Sequence, residues 1–423
     1  MIDIQLVRDH SDEVIQRLKI RNFDAADIVN KLKEADMLRR QSQKELDDTL
    51  AEGNELARKI GELFKSGRGA EAAELKEQSA TLKKQAKQLQ EQLEVSAQEV
   101  DTLITQLPNL PHKSVPAGNS EADNLIVFEE GIVPESDDNA LPHWELARKF
   151  DLIDFEAGTK ITGSGFPVYM GKGARLQRAL ISFFLDQAVQ AGYKEVQPPL
   201  LVNEASAYGT GQLPDKDGQM YYVGADKLYL IPTSEVPVTN ILRDSILGED
   251  ELPVKYTAYS VCFRREAGSY GKDVRGLNRL HQFDKVEIVQ VTNPEKSYQA
   301  LDDMVAHVSG LLQKLELPYR ITRLCGGDLG FASALTYDME VFSAAQKRWL
   351  EVSSISNFET FQSQRMKLRY KTSTGKNVFA HTLNGSALAL PRIMAALLEN
   401  NQQPLGVNVP AVLRPYTGFD LIE

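Results

Sequence analysis

Between Ile28 and Phe64 the chain repeats a stripe: Ile28, Leu32, Ala35, Arg39, Ser42, Leu46, Leu50, Gly53, Ala57, Ile60 and Phe64 succeed one another at steps of four and three. That spacing keeps side chains on one face of an α-helix and predicts a heptad seam. The stepping recurs more cleanly through Leu75, Ser79, Leu82, Ala86, Leu89, Leu93, Ser96, Val100, Leu103 and Leu107. Between the two lies KSGRGA, where Gly67 and Gly69 permit a turn. Two seams of similar length flanking a short turn predict an antiparallel coiled coil, each helix about 55 Å long at a rise of about 1.5 Å per residue. After Leu107 the seam stops in PNLPHKSVPAGNSEADN, whose prolines and small polar residues predict a linker.

From about Trp144 the pattern changes. Apolar residues at helical spacing predict helices over RLQRALISFFLDQAVQAG (Arg175 to Gly192) and SYQALDDMVAHVSGLLQKLE (Ser297 to Glu316). The runs EVQPPLLV, YTAYSVCF, VEIVQV, MEVFSA and RWLEVSSI predict short strands. Strands and helices do not alternate regularly, so the expected class is α+β with a largely antiparallel sheet. The expected division is a helical domain over 1–108 and a mixed domain over 109–423.

A length of 423 residues agrees with two domains, since single cores rarely grow beyond about 250 to 300 residues. The composition, 42% hydrophobic and 25% charged, is that of a soluble globular protein. No apolar run approaches the roughly 18 residues of a membrane span, and MIDIQLVRDHSDEV has acids where a signal peptide has its apolar stretch. The expectation is therefore a cytoplasmic protein that does not engage a membrane. Cys262 and Cys325 are too few for a disulfide framework or a cysteine-based zinc site, and the six histidines show no ligand spacing, so no structural metal is expected.

The net charge of −11 argues against a protein wholly devoted to coating nucleic acid, but two local patches run the other way. From Arg58 to Lys87, nearest the turn of the arm, eight bases (Arg58, Lys59, Lys65, Arg68, Lys76, Lys83, Lys84, Lys87) stand against four acids (Glu62, Glu71, Glu74, Glu77). A basic tip suits a phosphate backbone, while a dimerisation or spacer arm with a solvated lysine-bearing face has the same composition. The second patch is CFRREAGSYGKDVRGLNRLHQFDKVEI, Cys262 to Ile288, with Arg264, Arg265, Lys272, Arg275 and Arg279 between two strand-like runs.

GSGFPVYMGKG (Gly163 to Gly173) fails as a phosphate loop: Phe166 and Gly173 break the Walker A pattern, and Val168 stands where the dinucleotide fingerprint has its third glycine. An arginine-based anion site remains. In strand periodicity Arg264 and Glu266 share a face, as do Phe283, Lys285 and Glu287. Such a hairpin offers a guanidinium for a phosphate or carboxylate, carboxylates for an exocyclic amine and a ring to stack on a base; a surface hairpin with scattered ion pairs is the other reading.

With its neighbours, this hairpin resembles motif 2 of the class II aminoacyl-tRNA synthetases, and nearly the whole chain is similar to the bacterial-type seryl-tRNA synthetases. The resemblance rests on the helical arm, IPTSEVP, CFRREAGSYGKDVRGLNRLHQFDKVE, EVSSISNF and HTLNGSALALPR, in that order. It implies a class II catalytic domain with an antiparallel sheet behind an N-terminal coiled-coil arm, working as a homodimer through motif 1, here Arg175 to Pro199. It implies ATP with Mg²⁺, L-serine and tRNA(Ser) as ligands, with tRNA(Sec) a further candidate. In this family Arg264 would bridge the α-phosphate and the amino-acid carboxylate, Glu266 and Phe283 would meet adenine, and Arg265 would belong to the same ATP site. Arg279 and Arg392 would lie near the terminal phosphates. EVSS would supply Glu351 and Ser354 as Mg²⁺ ligands, with Val352 and Ser353 lining the ATP site. Thr233, Ser234, Glu235, Glu287, Asn384 and Ser386 would bind serine, and the arm near Arg58 to Lys87, with the motif 2 loop, would bind tRNA.

Two departures bear on this resemblance. Ala387 and Pro391 stand near Arg392 where glycines are common, which concerns the backbone path there, and Arg265 replaces a commonly small residue. Another class II synthetase, such as the threonine or proline enzyme, would carry an anticodon-binding domain after motif 3, whereas 31 residues follow Arg392. A paralogue without tRNA charging, serving as a coiled-coil partner or regulator, is the alternative of a different class.

Overall fold

The structure, a computed structural model, describes residues 1–134, 139–215, 218–266 and 275–423. Lys272 of the basic loop lies outside them. The chain forms two compact units, one of Met1–Lys19 with Phe23–Pro108 and one of Ile20–Asn22 with Asn109–Glu423.

In the first unit two short helices, Ile4–Asp9 and Ser11–Lys19, precede the long pair Ala26–Lys65 and Ala72–Ile104. Asp36, 2% exposed, receives Arg8 Nε at 2.8 Å and Arg39 Nη2 at 2.7 Å, so a buried charge is matched from two helices. The second seam falls as its spacing predicts, with Leu89, Ser96 and Val100 buried. The first changes phase after Leu46. Thr49 and Leu56 are each 8% exposed, whereas Leu50 is 49% and Phe64 50% exposed. The step after Leu46 is three residues, not four, and the Thr49 hydroxyl is accommodated by donating to the Glu45 carbonyl at 2.7 Å. The turn uses Gly67 at φ +76°, which glycine adopts without strain.

The second unit is built on eight strands: β1 (Leu125–Glu130), β2 (Lys194–Glu195), β3 (Val254–Phe263), β4 (Gln282–Thr292), β5 (Tyr319–Arg323), β6 (Leu335–Ser343), β7 (Arg348–Asn357) and β8 (His381–Ala389). Their order is β1-β5-β6-β7-β8-β4-β3-β2, antiparallel except for the parallel β2–β3 pair. Helices Gly171–Gln190, Ser297–Lys314 and Leu390–Asn400 supply apolar stripes to its core. Leu180, Phe184, Met304, Leu311, Ile393 and Leu397, each at most 2% exposed, cluster with Val286, Ile288, Met339 and Ile355 from the strands. Each such side chain is worth roughly 1.5–3 kcal/mol over an exposed one.

Three expectations change. EVQPPLLV is not one strand; only Lys194–Glu195 and Leu201–Val202 are extended pairs, because Pro198 and Pro199 cannot donate to a ladder. The expected linker is not loose. Leu107, Asn109 and Leu110 are at most 6% exposed, and Asn109 N and His112 N donate to Phe331 and Ala334 carbonyls at 2.9 and 2.8 Å. Pro391 lies in the first turn of Leu390–Asn400, where its missing N–H costs nothing, so it does not break the path to Arg392.

Candidate active site

A cavity of about 880 Å³ opens on the face of the sheet formed by β4, β7 and β8. Thr233, Glu235, Arg264, Glu266, Arg279, Phe283, Glu287, Glu351, Val352, Ser353, Ser354, Asn384, Ser386 and Arg392 all line it. Two expected members do not. Ser234 is fully buried and its hydroxyl donates to Ser260 Oγ at 2.5 Å, since at the N-cap just before helix Glu235–Asn240 it turns away from the side on which Thr233 and Glu235 line the cavity. Arg265 is exposed, its backbone N–H tied to the Gln219 carbonyl at 2.8 Å.

Register explains the grouping at one end. β4 and β8 pair Glu287 opposite Ser386, and Asn384 lies two residues further along the same face of β8. Lys285, one pleat before Glu287, sends Nζ to Glu287 Oε2 at 2.5 Å and to Thr233 Oγ1 at 2.8 Å; the Lys285 and Glu287 side chains are 7% and 2% exposed. Glu235 opens helix Glu235–Asn240 and receives Gln362 Nε2 at 2.6 Å, while Gln362 Oε1 accepts from Thr382 Oγ1 at 2.7 Å. Burial and the nearby charge of Glu287 push the Glu235 carboxyl up to about 7. This end thus holds two acids, one buried ammonium and a hydroxyl, all fixed by neighbours. Lys285 and Gln362 were not among the expected site residues. Nothing local marks Gln362, which sits in the unremarkable FETFQSQR; Lys285 carried a signal, its place between Phe283 and Glu287 on one face.

The other end is cationic and aromatic. β3 ends at Phe263, so Arg264 and Glu266 have left the ladder, and Glu266 takes φ +49°. They reach the same cavity by a turn and not by strand alternation. The Arg264 guanidinium lies 5.3 Å from the centroid of the Phe283 ring. Arg279 Nε donates to Glu266 Oε2. Arg392 Nη1 donates to the Glu351 carbonyl at 2.7 Å with the Glu351 carboxylate at 3.7 Å, and its Nε donates to the Asn278 carbonyl at 3.1 Å.

A buried brace steadies this end. His143 and Glu399 are wholly buried, with Nδ1 2.7 Å from Glu399 Oε1 and Nε2 accepting the Leu277 N–H at 2.8 Å. Accepting at Nε2 puts the ring proton on Nδ1, facing the carboxylate. Gln346 joins the brace to Asn278 through hydrogen bonds of 3.0 Å to Glu399 and 2.9 Å from Asn278 Nδ2. The glycine segment rejected as a phosphate loop has a scaffolding place: the Gly165 carbonyl accepts from His281 N at 2.9 Å, and a Cβ at Gly165, φ +83°, would come within 2.5 Å of the His281 ring.

Ser354 hydrogen-bonds to the half-buried Asp338, whose pKa is raised by desolvation and then by Glu351, and Asp338 Oδ1 has no hydrogen-bond partner among the described residues. Among the described residues no three His, Cys, Asp or Glu side chains gather into a metal site. No helix among them is long and apolar enough to cross a membrane.

Comparison with known proteins bears on the family and the fold. The tRNA synthetase class II core domain (G, H, P, S and T) matches residues 221–401, and the seryl-tRNA synthetase N-terminal domain matches residues 1–111. A serine–tRNA ligase of Salinibacter ruber is 51% identical over 99% of this chain and 98% of its own length. One from Methylacidiphilum infernorum is 47% identical over 98% and 99%. The solved seryl-tRNA synthetase of Pyrococcus horikoshii, complexed with ATP, superposes with a TM-score of 0.92 at 32% identity, covering 100% of this chain and 99% of that one. With both family patterns matched and relatives this similar over its whole length, the chain belongs to the seryl-tRNA synthetase family.

Proposed function

We propose that this cavity joins L-serine to ATP as seryl adenylate and passes the seryl group to the 3′ end of tRNA(Ser). The observation that carries the reading is the division of one cavity into a buried acid and hydroxyl end and an arginine and phenylalanine end. Glu235 and Glu287 suit an ammonium, and Thr233, Asn384 and Ser386 suit a small hydroxyl. Lys285 holds Glu287 and Thr233 in place before substrate arrives. A site built to hydrogen-bond a hydroxyl rejects an analogue lacking it, alanine here, by about 10⁴ or more. The ATP complex of the Pyrococcus horikoshii relative supports assigning the other end to ATP.

In the first step the serine carboxylate attacks the α-phosphorus, an acyl–phosphate bond forms, and the bond to pyrophosphate breaks. In the second, a terminal tRNA hydroxyl attacks the acyl carbon and AMP leaves. No side-chain nucleophile is needed; the protein positions the reactants and neutralises charge. Arg264 bridges the α-phosphate and the carboxylate, Phe283 stacks on adenine with Glu266 beside it, and Arg279 and Arg392 take the terminal phosphates. Bringing Arg279 to a phosphate requires loosening its pair with Glu266, which frees that carboxylate for adenine. Glu351 and Ser354, both oxygen donors on the cavity wall, fit a hard cation that keeps phosphate and water ligands, so they would hold Mg²⁺ arriving with ATP. When bound, it would add positive charge at the phosphates.

For tRNA, the proposed contact is the arm near Arg58 to Lys87. Lys65, Lys83 and Lys84 are exposed there, although Arg58, Lys59, Arg68 and Lys87 have acidic partners three or four residues away. A homodimer belongs to the same reading. It is supported by exposed apolar residues: β1 is an edge strand whose Leu125, Ile126, Val127 and Phe128 are 38 to 49% exposed, Val189 within the expected motif 1 is 46% exposed, and Leu200 and Leu201 just after it are 39 and 40% exposed. The test is ATP–pyrophosphate exchange with each of the amino acids in turn. Serine alone should support it at low concentration; exchange driven equally by alanine or threonine would overturn the assignment.

A further inference from the structure

We propose that Arg21 and Asn109 are positioning residues for the serine end of the cavity, acting through the backbone of the Gly330–Ser333 loop that forms one of its walls. Gly330, Phe331, Ala332 and Ser333 line the cavity, yet they lie between β5 and β6 with no strand to hold them. Five successive carbonyls in this loop are taken up by these two residues. Arg21 Nη2 donates to Leu329 O at 2.7 Å and Gly330 O at 2.8 Å, and Nη1 to Ser333 O at 3.0 Å. Asn109 supplies the two between, its N–H to Phe331 O and its Nδ2 to Ala332 O, each at 2.9 Å. Arg21 Nη1 also donates to Asn109 O at 3.0 Å, closing the pair on itself.

The loop so held stands beside the acid end. Gly211 of the facing wall has room for only a 3.2 Å approach between a Cβ and that of Ala332. Thr210, next to it, accepts from the Gln362 amide that also holds Glu235. The same Asn109 Nδ2 donates to Phe358 O at 2.9 Å, and Phe358 lines the cavity too. None of these bonds reaches Arg264, Phe283, Arg279 or Arg392. A guanidinium whose fork is spent on carbonyl oxygens fixes a backbone path as no single-point donor can. Burial lowers the Arg21 pKa to about 10, which leaves it charged at neutral pH. Arg21 and Asn109 belong to the same compact unit as the loop they hold.

This inference rests on the serine assignment made above. Its test is ATP–pyrophosphate exchange by the full-length protein, reading KM for serine and KM for ATP separately. Arg21→Ala should raise the serine KM about tenfold or more while the ATP KM stays within about twofold. Arg21→Lys, with a point charge in place of a fork, should fall between Arg21→Ala and wild type. Asn109→Asp, which turns a donor into an acceptor facing two carbonyls, should resemble Arg21→Ala. Asn22→Gly, which removes an amide that donates to Gly118 O and keeps the left-handed backbone at φ +55° without strain, should match wild type. Should Arg21→Ala fail to fold, Arg21→Lys and Asn109→Asp make the same comparison. A serine KM unchanged in folded variants, or serine and ATP KM values rising together, overturns the inference. Wild-type protein without serine-dependent exchange would instead overturn the reading of the site, and this inference with it.

Discussion

Burial first, and then the charge of Glu287, push the Glu235 carboxyl up to about 7, against Gln362 and Lys285, which favour its ionised form. Because the folded value lies above the ordinary 4.5, this group stabilises the substrate-free protein fully below about pH 4.5, and that contribution is lost as pH rises through about 7. Serine asks for the opposite, since its ammonium needs a carboxylate. The serine kcat/KM should therefore fall about tenfold per unit as pH drops below 7, and Glu235→Gln should be slow and lack that step. A profile for wild type that is flat between pH 5.5 and 8 would show that Glu235 does not meet the ammonium. Lys285 carries a second prediction. Lys285→Met leaves Glu287 buried without its ammonium and should cost about 3–5 kcal/mol by urea denaturation. Adding Glu287→Gln should recover much of that stability without recovering serine-dependent exchange. At this scale the acids and the hydroxyl were readable through motif resemblance, but Gln362 was not. A single amide in a stretch without pattern becomes a site residue only when the fold lays it against Glu235.

Among elements, the arm shows both the reach and the limit of periodicity. Steps of three and four located both helices to within a few residues, yet Leu50 took the place in the seam that belongs to Thr49. Hydrophobicity favours leucine; the facing helix, which no spacing within one strand of sequence describes, selects the threonine. The hairpin of β3 and β4 was readable from its charges, but the brace behind it was not, because His143 and Glu399 come from positions 256 residues apart. That brace makes a prediction. His143→Ala leaves Leu277 N–H buried without an acceptor and removes a wholly buried ring, so stability should fall by about 3 kcal/mol or more. Since Arg279 and Asn278 lie just beyond the brace, the ATP KM should rise more than the serine KM, the reverse of the order expected for Arg21. Equal rises would reduce the brace to a purely structural role. β1 escaped sequence reading for a different reason: LIVFEE, at the exposed edge of the sheet, shows neither alternation nor burial.

For the whole molecule, adenylate formation in the sheet cavity and tRNA selection by the arm would be separable tasks. Deleting about Asp27 to Leu107 should cripple tRNA charging and spare pyrophosphate exchange; charging that survived would remove the arm from recognition. In the intact protein the tRNA KM should rise steeply with salt, as phosphate neutralisation demands, and Lys83→Glu with Lys84→Glu should weaken charging while leaving the serine and ATP KM values alone.

The most direct measurement is single-turnover seryl adenylate formation by Arg264→Ala beside wild type, with folding checked by thermal denaturation. If one cavity brings this arginine to the α-phosphate while the acids hold serine, the rate should fall about 10²- to 10³-fold or more with the fold retained. A folded variant that forms adenylate within a few-fold of the wild-type rate would contradict it.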